Sequence, residues 1–195
     1  MLHCDGANAG TSFPDSSYEE HIFTANANTQ LTTAAKKFGT ASATFDGAYD
    51  TLRGLDSADW DFNGDFTVDF WFATGMAAGN WAFLMGNSDH YTLGGSSSNK
   101  AGWSVNYKQD FGMVFSWSDG TTSDFMEYKA AKTDWATDRG TWYHIAIVRA
   151  SNVIKMYIDG TYMASAVTVN NQNYSVTSGN AFFFGGNLSD TQGSY

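Results

Sequence analysis

Residues 65–72 read DFTVDFWF. Phe66, Val68, Phe70 and Phe72 alternate with Asp65, Thr67, Asp69 and Trp71. A period of two over eight residues marks a strand with one buried face. The pattern recurs along the chain. In FGMVFSW, Phe111, Met113, Phe115 and Trp117 share a face opposite Gly112, Val114 and Ser116. In NVIKMYIDG, Ile154, Met156 and Ile158 lie opposite Val153, Lys155 and Tyr157. Asp159-Gly160 follows, and then Tyr162-Met163-Ala164. An Asp-Gly pair between two such runs predicts a two-residue hairpin, because Gly supplies the positive φ that the turn needs. TWYHIAIVR is apolar on both phases, with Trp142, Ala146 and Val148 against Tyr143, Ile145 and Ile147. That predicts a central strand covered on both sides. AFFFGG, starting at Ala181, is a further short buried run. Shorter strands are expected at 2–4, 22–25, 41–45, 49–52, 81–85, 103–107 and 125–128. Helical turns are expected only at 16–21 and 34–38.

The composition agrees and narrows the function. The chain has 195 residues, enough for one domain with a core that needs no disulfide or metal staple. Glu is scarce: Glu19, Glu20 and Glu127 are the three among twenty acids. Few helix formers and many aromatics favour an all-β protein. About a dozen strands without an amphipathic helix predict a two-sheet antiparallel sandwich. The net charge of −10, with no basic cluster, argues against nucleic acid or anionic lipid as main partner, since phosphates need Lys and Arg. No apolar run is long enough to span a membrane. The start, Met1-Leu2-His3-Cys4-Asp5, lacks the basic and apolar regions of a signal peptide. Cys4 is the one cysteine, so neither an internal disulfide nor a Cys-based zinc site can form.

Seven motifs in order carry a family resemblance: LHCDG, PDSSYEEH, KKFGTASATFDGAYDTL, DSADWDFNGDFTVDFWF, TDRGTWYHIAIVR, IKMYIDG and AFFFGGN. They resemble the laminin-G-like, concanavalin A-like jelly-roll domains, especially those of phage virion and tail proteins. The resemblance runs from Leu2 to Asn187 and implies a single domain over residues 1–195. It also implies a closing strand that should begin where the chain reads Gly193-Ser194-Tyr195. The expectation is therefore a jelly roll truncated at its C-terminus, with a sheet edge left for a neighbouring chain or domain. The implied setting is a virion or the extracellular space.

This fold hosts enzymes and binding modules alike, so function must come from the residues. The glucanase branch implies two Glu on one strand, about 5–5.5 Å apart in a retaining pair. Glu19 and Glu20 are adjacent and Glu127 is alone, so the chain is expected to be no enzyme. Asp65 and Asp69 share a face, but four residues of strand separate them by roughly 13 Å. No G-x-S-x-G or phosphate loop is present, and the four His are dispersed.

Two readings of binding remain. Asp59-x-Asp61-x-Asn63-Gly64 reproduces the first half of a calcium loop, but the position for the bidentate Glu holds Phe70. The same residues also suit a turn braced by Asp side chains. The resemblance places a second structural calcium at Asp5 and Asp15, with a further ligand in the absent last strand. The other reading is sugar recognition on exposed aromatic rings. Trp135 stands among polar residues, Trp81 and Tyr91 flank a Gly-Asn-Ser-Asp-His loop, and Trp117 begins a Ser-Asp-Gly turn. Trp60, Trp71, Trp103 and Trp142 are expected in the core or at its rim. The expected partners are a glycan or host surface and neighbouring chains of an assembly. A carbohydrate-binding or adhesion domain of a secreted bacterial protein is the alternative, with a glycoside hydrolase as the lesser one.

Overall fold

A computed structural model of the chain describes residues 1–47, 49–62, 64–75, 81–87, 102–108, 112–118, 123–129, 140–168 and 181–185. The strands are β1 (Phe23–Asn26), β2 (Gln30–Thr32), β3 (Ser42–Thr44), β4 (Thr51–Gly54), β5 (Phe66–Phe72), β6 (Trp81–Gly86), β7 (Gly102–Lys108), β8 (Gly112–Ser118), β9 (Ser123–Lys129), β10 (Tyr143–Ala150), β11 (Val153–Ile158), β12 (Thr161–Thr168) and β13 (Phe182–Phe184). A seven-stranded sheet runs β1-β4-β13-β6-β7-β8-β9, and a four-stranded sheet runs β12-β11-β10-β5. Strands β2 and β3 form a separate pair. All pairings between these strands are antiparallel. The observed fold is the all-β two-sheet sandwich expected from periodicity and the jelly roll that the family resemblance implies.

The core forms where the two sheets face each other. The large sheet contributes Trp103, Val105, Tyr107, Met113, Phe115 and Trp117, all buried. The small sheet answers with Ile145, Ile147, Ile154, Met156 and Ile158. Each fully buried side chain of this kind stabilises the fold by roughly 1.5–3 kcal/mol relative to exposure. The inward phase of DFTVDFWF packs against this core, as the alternation requires.

The centre of the large sheet, at β7 and β8, is buried on its second face as well. Ser104, Asn106, Val114 and Ser116 are all buried, and the Asn106 amide donates to the Ser104 hydroxyl at 2.9 Å. Phe83, Ala181 and Phe183 form a satellite cluster there. The small sheet differs, because its outer positions alternate between half-buried and exposed.

Several local expectations change. TWYHIAIVR is central in its sheet, between β5 and β11, but it is covered on one face only. Ala146 and Val148 are too small to need a second layer, and neighbouring strands shield them partly. Residues 2–4 make one isolated bridge, Leu2 to Asp15, rather than a strand. Strand β4 begins at Thr51 because Tyr49 adopts φ 64°, a conformation no strand accepts. The segments 16–21 and 34–38 are turns and bends. Strand β2 has no strong alternation and was not expected. The hairpin at Asp159-Gly160 is present, with φ of 49° and 76°. Ser151-Asn152 makes a matching turn between β10 and β11, with φ of 49° and 63°. Two consecutive positive φ values suit the twist of a two-residue hairpin.

Candidate functional site

The outer face of the small sheet brings exposed aromatic, basic and acidic side chains together. Its outward positions are Thr67, Asp69 and Trp71 on β5, and His144, Ala146 and Val148 on β10. Beyond them come Val153, Lys155 and Tyr157 on β11, and Tyr162 on β12. Trp71 is 37% exposed and Tyr162 46%. Cross-strand pairing places His144 beside Trp71, with ring centroids 5.3 Å apart. His144 Nε2 lies 3.2 Å from the Asp69 carboxylate. From the 33–40 loop, Phe38 meets Trp71 edge-on at 5.3 Å, and Lys37 Nζ sits 4.2 Å from the Trp71 ring. On the far side Tyr157 pairs with Tyr162 at 5.7 Å, and Lys155 Nζ lies 5.7 Å from the Tyr162 ring. Ala146, paired with Asp69 and Tyr157, lies between the two aromatic groups.

Trp71 corrects the expectation that it packs in the core or at its rim. It occupies the outward phase of DFTVDFWF, in step with Asp65, Thr67 and Asp69. The alternation itself carried that signal: an aromatic in a polar phase is an outward aromatic. Trp60 and Trp103 do pack in the core, where Trp60 stacks on Phe182 at 4.5 Å. Trp142 is half-buried.

Of the residues expected to stack on sugars, Trp117 falls elsewhere. Trp117 is 1% exposed and stacks on Phe115 at 5.4 Å, so it is a core residue and no ligand platform. Its position is inward because Met113, Phe115 and Trp117 keep one phase along β8. Trp81 opens β6. Trp135 and Tyr91 lie outside the described residues.

The carboxylates expected to bind calcium are engaged by protein donors. Asp59 belongs to a 3-10 turn, Ala58–Trp60, capped by the Ser57 hydroxyl, and its carboxylate lies 2.7 Å from His21 Nε2. The turn presents the Trp60 carbonyl to the Trp103 indole and the Asn87 amide, each at 2.9 Å. The Asp-rich stretch is thus a plug that ties Trp60 into the core. Asp61 follows as its C-cap, and Asn63 lies outside the described residues. Asp5 accepts from the amide and hydroxyl of Thr40. Asp15 receives the Met1 amine and Ser17 amide on one oxygen, and the Ser17 hydroxyl and His21 amide on the other. Both oxygens are taken by donors, so Asp15 does not fit a cation. Among the described residues no group of three or more His, Cys, Asp or Glu converges on a metal position.

Burial alone would raise the Asp15 carboxyl. The hydrogen bonds from Met1, Ser17 and His21 outweigh it and hold the group well below its ordinary value. A depressed carboxyl stabilises the fold above its unfolded pKa of about 3.9, and that contribution is lost as pH falls through the folded value. Asp15→Asn is therefore expected to cost about 1.5–3 kcal/mol at neutral pH. Thermal melts should show the gap to wild type narrowing only below about pH 4. A gap that stays constant into strong acid would contradict this.

Comparison with known proteins places this fold. The family model described as the concanavalin A-like lectin/glucanases superfamily, of laminin G type, matches residues 46–195. The chain belongs to this superfamily. No curated protein matches the sequence. Among solved structures, the binding domain of botulinum neurotoxin DC in complex with rat synaptotagmin II superposes with a TM-score of 0.62. It is 12% identical, over 93% of this chain and 44% of that one. The binding domain of botulinum neurotoxin serotype C1 gives 0.61 at 12% identity, over 93% and 42%. The neurotoxin DC binding domain in complex with SialylT gives 0.57 at 14% identity, over 91% and 42%. The chain spans less than half the length of these solved chains. At such identities the likeness is one of fold.

Proposed function

We propose that the chain is a non-enzymatic carbohydrate-binding module that uses the outer face of the small sheet. The observation that carries this is Trp71, an exposed indole on a rigid strand, flanked by His144, Asp69 and Lys37. The part of the ring left exposed between Lys37, Phe38 and His144 offers apolar surface for a sugar, and its neighbours offer donors and acceptors for hydroxyls. A strand-borne site is held more firmly than a loop-borne one. The neurotoxin binding domains named above share this fold, which supports the reading. Glu19 and Glu20 lie in the N-terminal turn and Glu127 on β9, so no two Glu flank one bond in the manner of a glycosidase pair. From the family resemblance we take the setting to be the surface of a phage or virus-like particle, with neighbouring chains beside it and a host glycan as target.

A glycan array read with wild type and Trp71→Ala tests this. Losing an aromatic anchor should weaken binding by about 2 kcal/mol, about thirtyfold in Kd, without moving the melting temperature. Trp135→Ala and Tyr91→Ala belong in the same experiment. If they lose binding while Trp71→Ala keeps it, the site lies elsewhere. Binding to no glycan at millimolar concentration would overturn the reading.

A further inference from the structure

We infer that the outer edge of β5 docks a second copy of this chain, the two β5 strands pairing antiparallel so that the two small sheets join into one. The inference is independent of the carbohydrate reading. It starts from the ends of the two sheets. Of the four terminal strands, β1 has only four residues, and β9 and β12 lie beside each other. Strand β5 is different. It has seven residues and pairs with β10 on one side, and no strand among the described residues lies on the other. Its outer row of amides and carbonyls is a template for a further strand.

Two features mark this edge as unfinished. Phe66, Val68, Phe70 and Phe72 face the core yet are only half-buried, whereas Tyr143, Ile145 and Ile147 on β10, one strand further in, are buried. A neighbouring strand of the same phase would cover them. Strand β5 also lacks the devices that guard a sheet edge. FTVDFWF holds no Lys, Arg or Pro, and its pairing with β10 runs without a register shift. Its one charge, Asp69, lies 3.2 Å from His144 Nε2. By contrast, the pairing of β12 with β11 shifts register between Ile154 and Met156.

The strand's own sequence selects the occupant, because it can pair with itself. Inward residues must meet inward residues, so only every second register is allowed. The register that uses all of β5 sets Asp69 against Asp69 of the second copy, and like charges directly opposed are unfavourable. Sliding one way sets Phe66 against Thr74, which is buried and whose carbonyl accepts from the Gly140 amide at 2.9 Å. Sliding the other way sets Val68 against Val68, and both obstacles vanish. Phe66 then meets Phe70 of the second copy, Thr67 meets Asp69, and Asp65 meets Trp71. Opposed Cβ atoms lie about 4.5–5.5 Å apart. Lys37 Nζ, 4.2 Å from the Trp71 ring, thus comes beside Asp65 of the second copy. The twofold axis makes that cation–anion contact twice.

Sedimentation equilibrium of the intact chain, with Thr67→Asp and Thr67→Lys beside it, tests this. Thr67 is exposed and points outward, so both variants keep the fold, and a cooperative melt close to that of wild type checks that they do. One strand pair buries less than a standard interface, so wild type should dimerise reversibly with a Kd of about 1–100 μM. In the inferred register, residue 67 meets Asp69 twice. Thr67→Asp should therefore weaken the dimer about tenfold, and Thr67→Lys should tighten it about tenfold. Amide exchange of residues 66–72 should slow as protein concentration rises. A wild type that stays monomeric up to about 1 mM would overturn the inference and leave the edge to a strand from another kind of chain. A dimer that the two substitutions leave unchanged, or shift in the same direction, would overturn it by placing the contact on another surface or in another register.

Discussion

Trp117→Ala is expected to lower the melting temperature by about 10 °C while leaving any ligand affinity of the folded fraction unchanged. Trp117 is among the largest fully buried side chains of the protein and stacks on Phe115 beneath the small sheet. Truncating a buried Trp costs about 3–5 kcal/mol, part in lost transfer free energy and part in the cavity left behind. For a chain of this size each kcal/mol moves the midpoint by about 2–4 °C. A domain stable by about 5–15 kcal/mol keeps a folded population at low temperature, so binding can still be measured there. Calorimetry gives the midpoint, and a titration well below it gives the affinity. A selective loss of binding with an unshifted melt would show that Trp117 touches ligand after all. Trp71→Ala is expected to give the opposite pair of results.

Gly86→Ala carries the second large effect. Gly86 ends β6 at φ 153°, beyond an irregularity in the register between Phe83 and Met85. A Cβ there would stand 2.2 Å from the Trp103 carbonyl oxygen and 2.7 Å from the Ser104 Cα. Both are backbone atoms of β7, so no side chain can swing aside. The Asn87 amide donates to the same Trp103 carbonyl at 3.1 Å, and the Asn87 side chain accepts from the Trp103 amide at 3.0 Å. The strand pair would have to open, and the Asn87–Trp60–Trp103 network with it. Unfavourable backbone conformation and overpacking together predict a cost of about 2–5 kcal/mol. Urea unfolding should show a lower midpoint with an unchanged slope. Stability within error of wild type would mean that β6 and β7 are not this closely paired in solution.

The two variants also show what was legible in advance. The inward phase of FGMVFSW marks Trp117 as buried, and the neighbouring turn misled only when read without the phase. Trp71 is the mirror case. Its large apolar ring suggests burial, while its phase places it outside, and phase decides because a strand cannot turn one side chain without turning the rest. Gly86 carries no local signal, since its requirement comes from β7, sixteen or more residues further along. The Asp59-x-Asp61 stretch resembles a metal loop in composition. It is a plug because Trp60 reaches across to Trp103 and Phe182, a contact spacing does not reveal.

The sequence by itself determined the all-β class, the inner and outer phase of the longer strands, the Asp159-Gly160 hairpin and the family. Each depends on interactions between residues near in the chain, or on a pattern repeated along it. Only the tertiary structure decided which sheet keeps an open face, and that Lys37 and Phe38, from a loop without regular structure, lie over Trp71 on β5. Strands with four others between them in sequence order are neighbours in the sheet, as β5 and β10 are. The partners of an exposed ring are therefore set by sheet order, which no local pattern encodes.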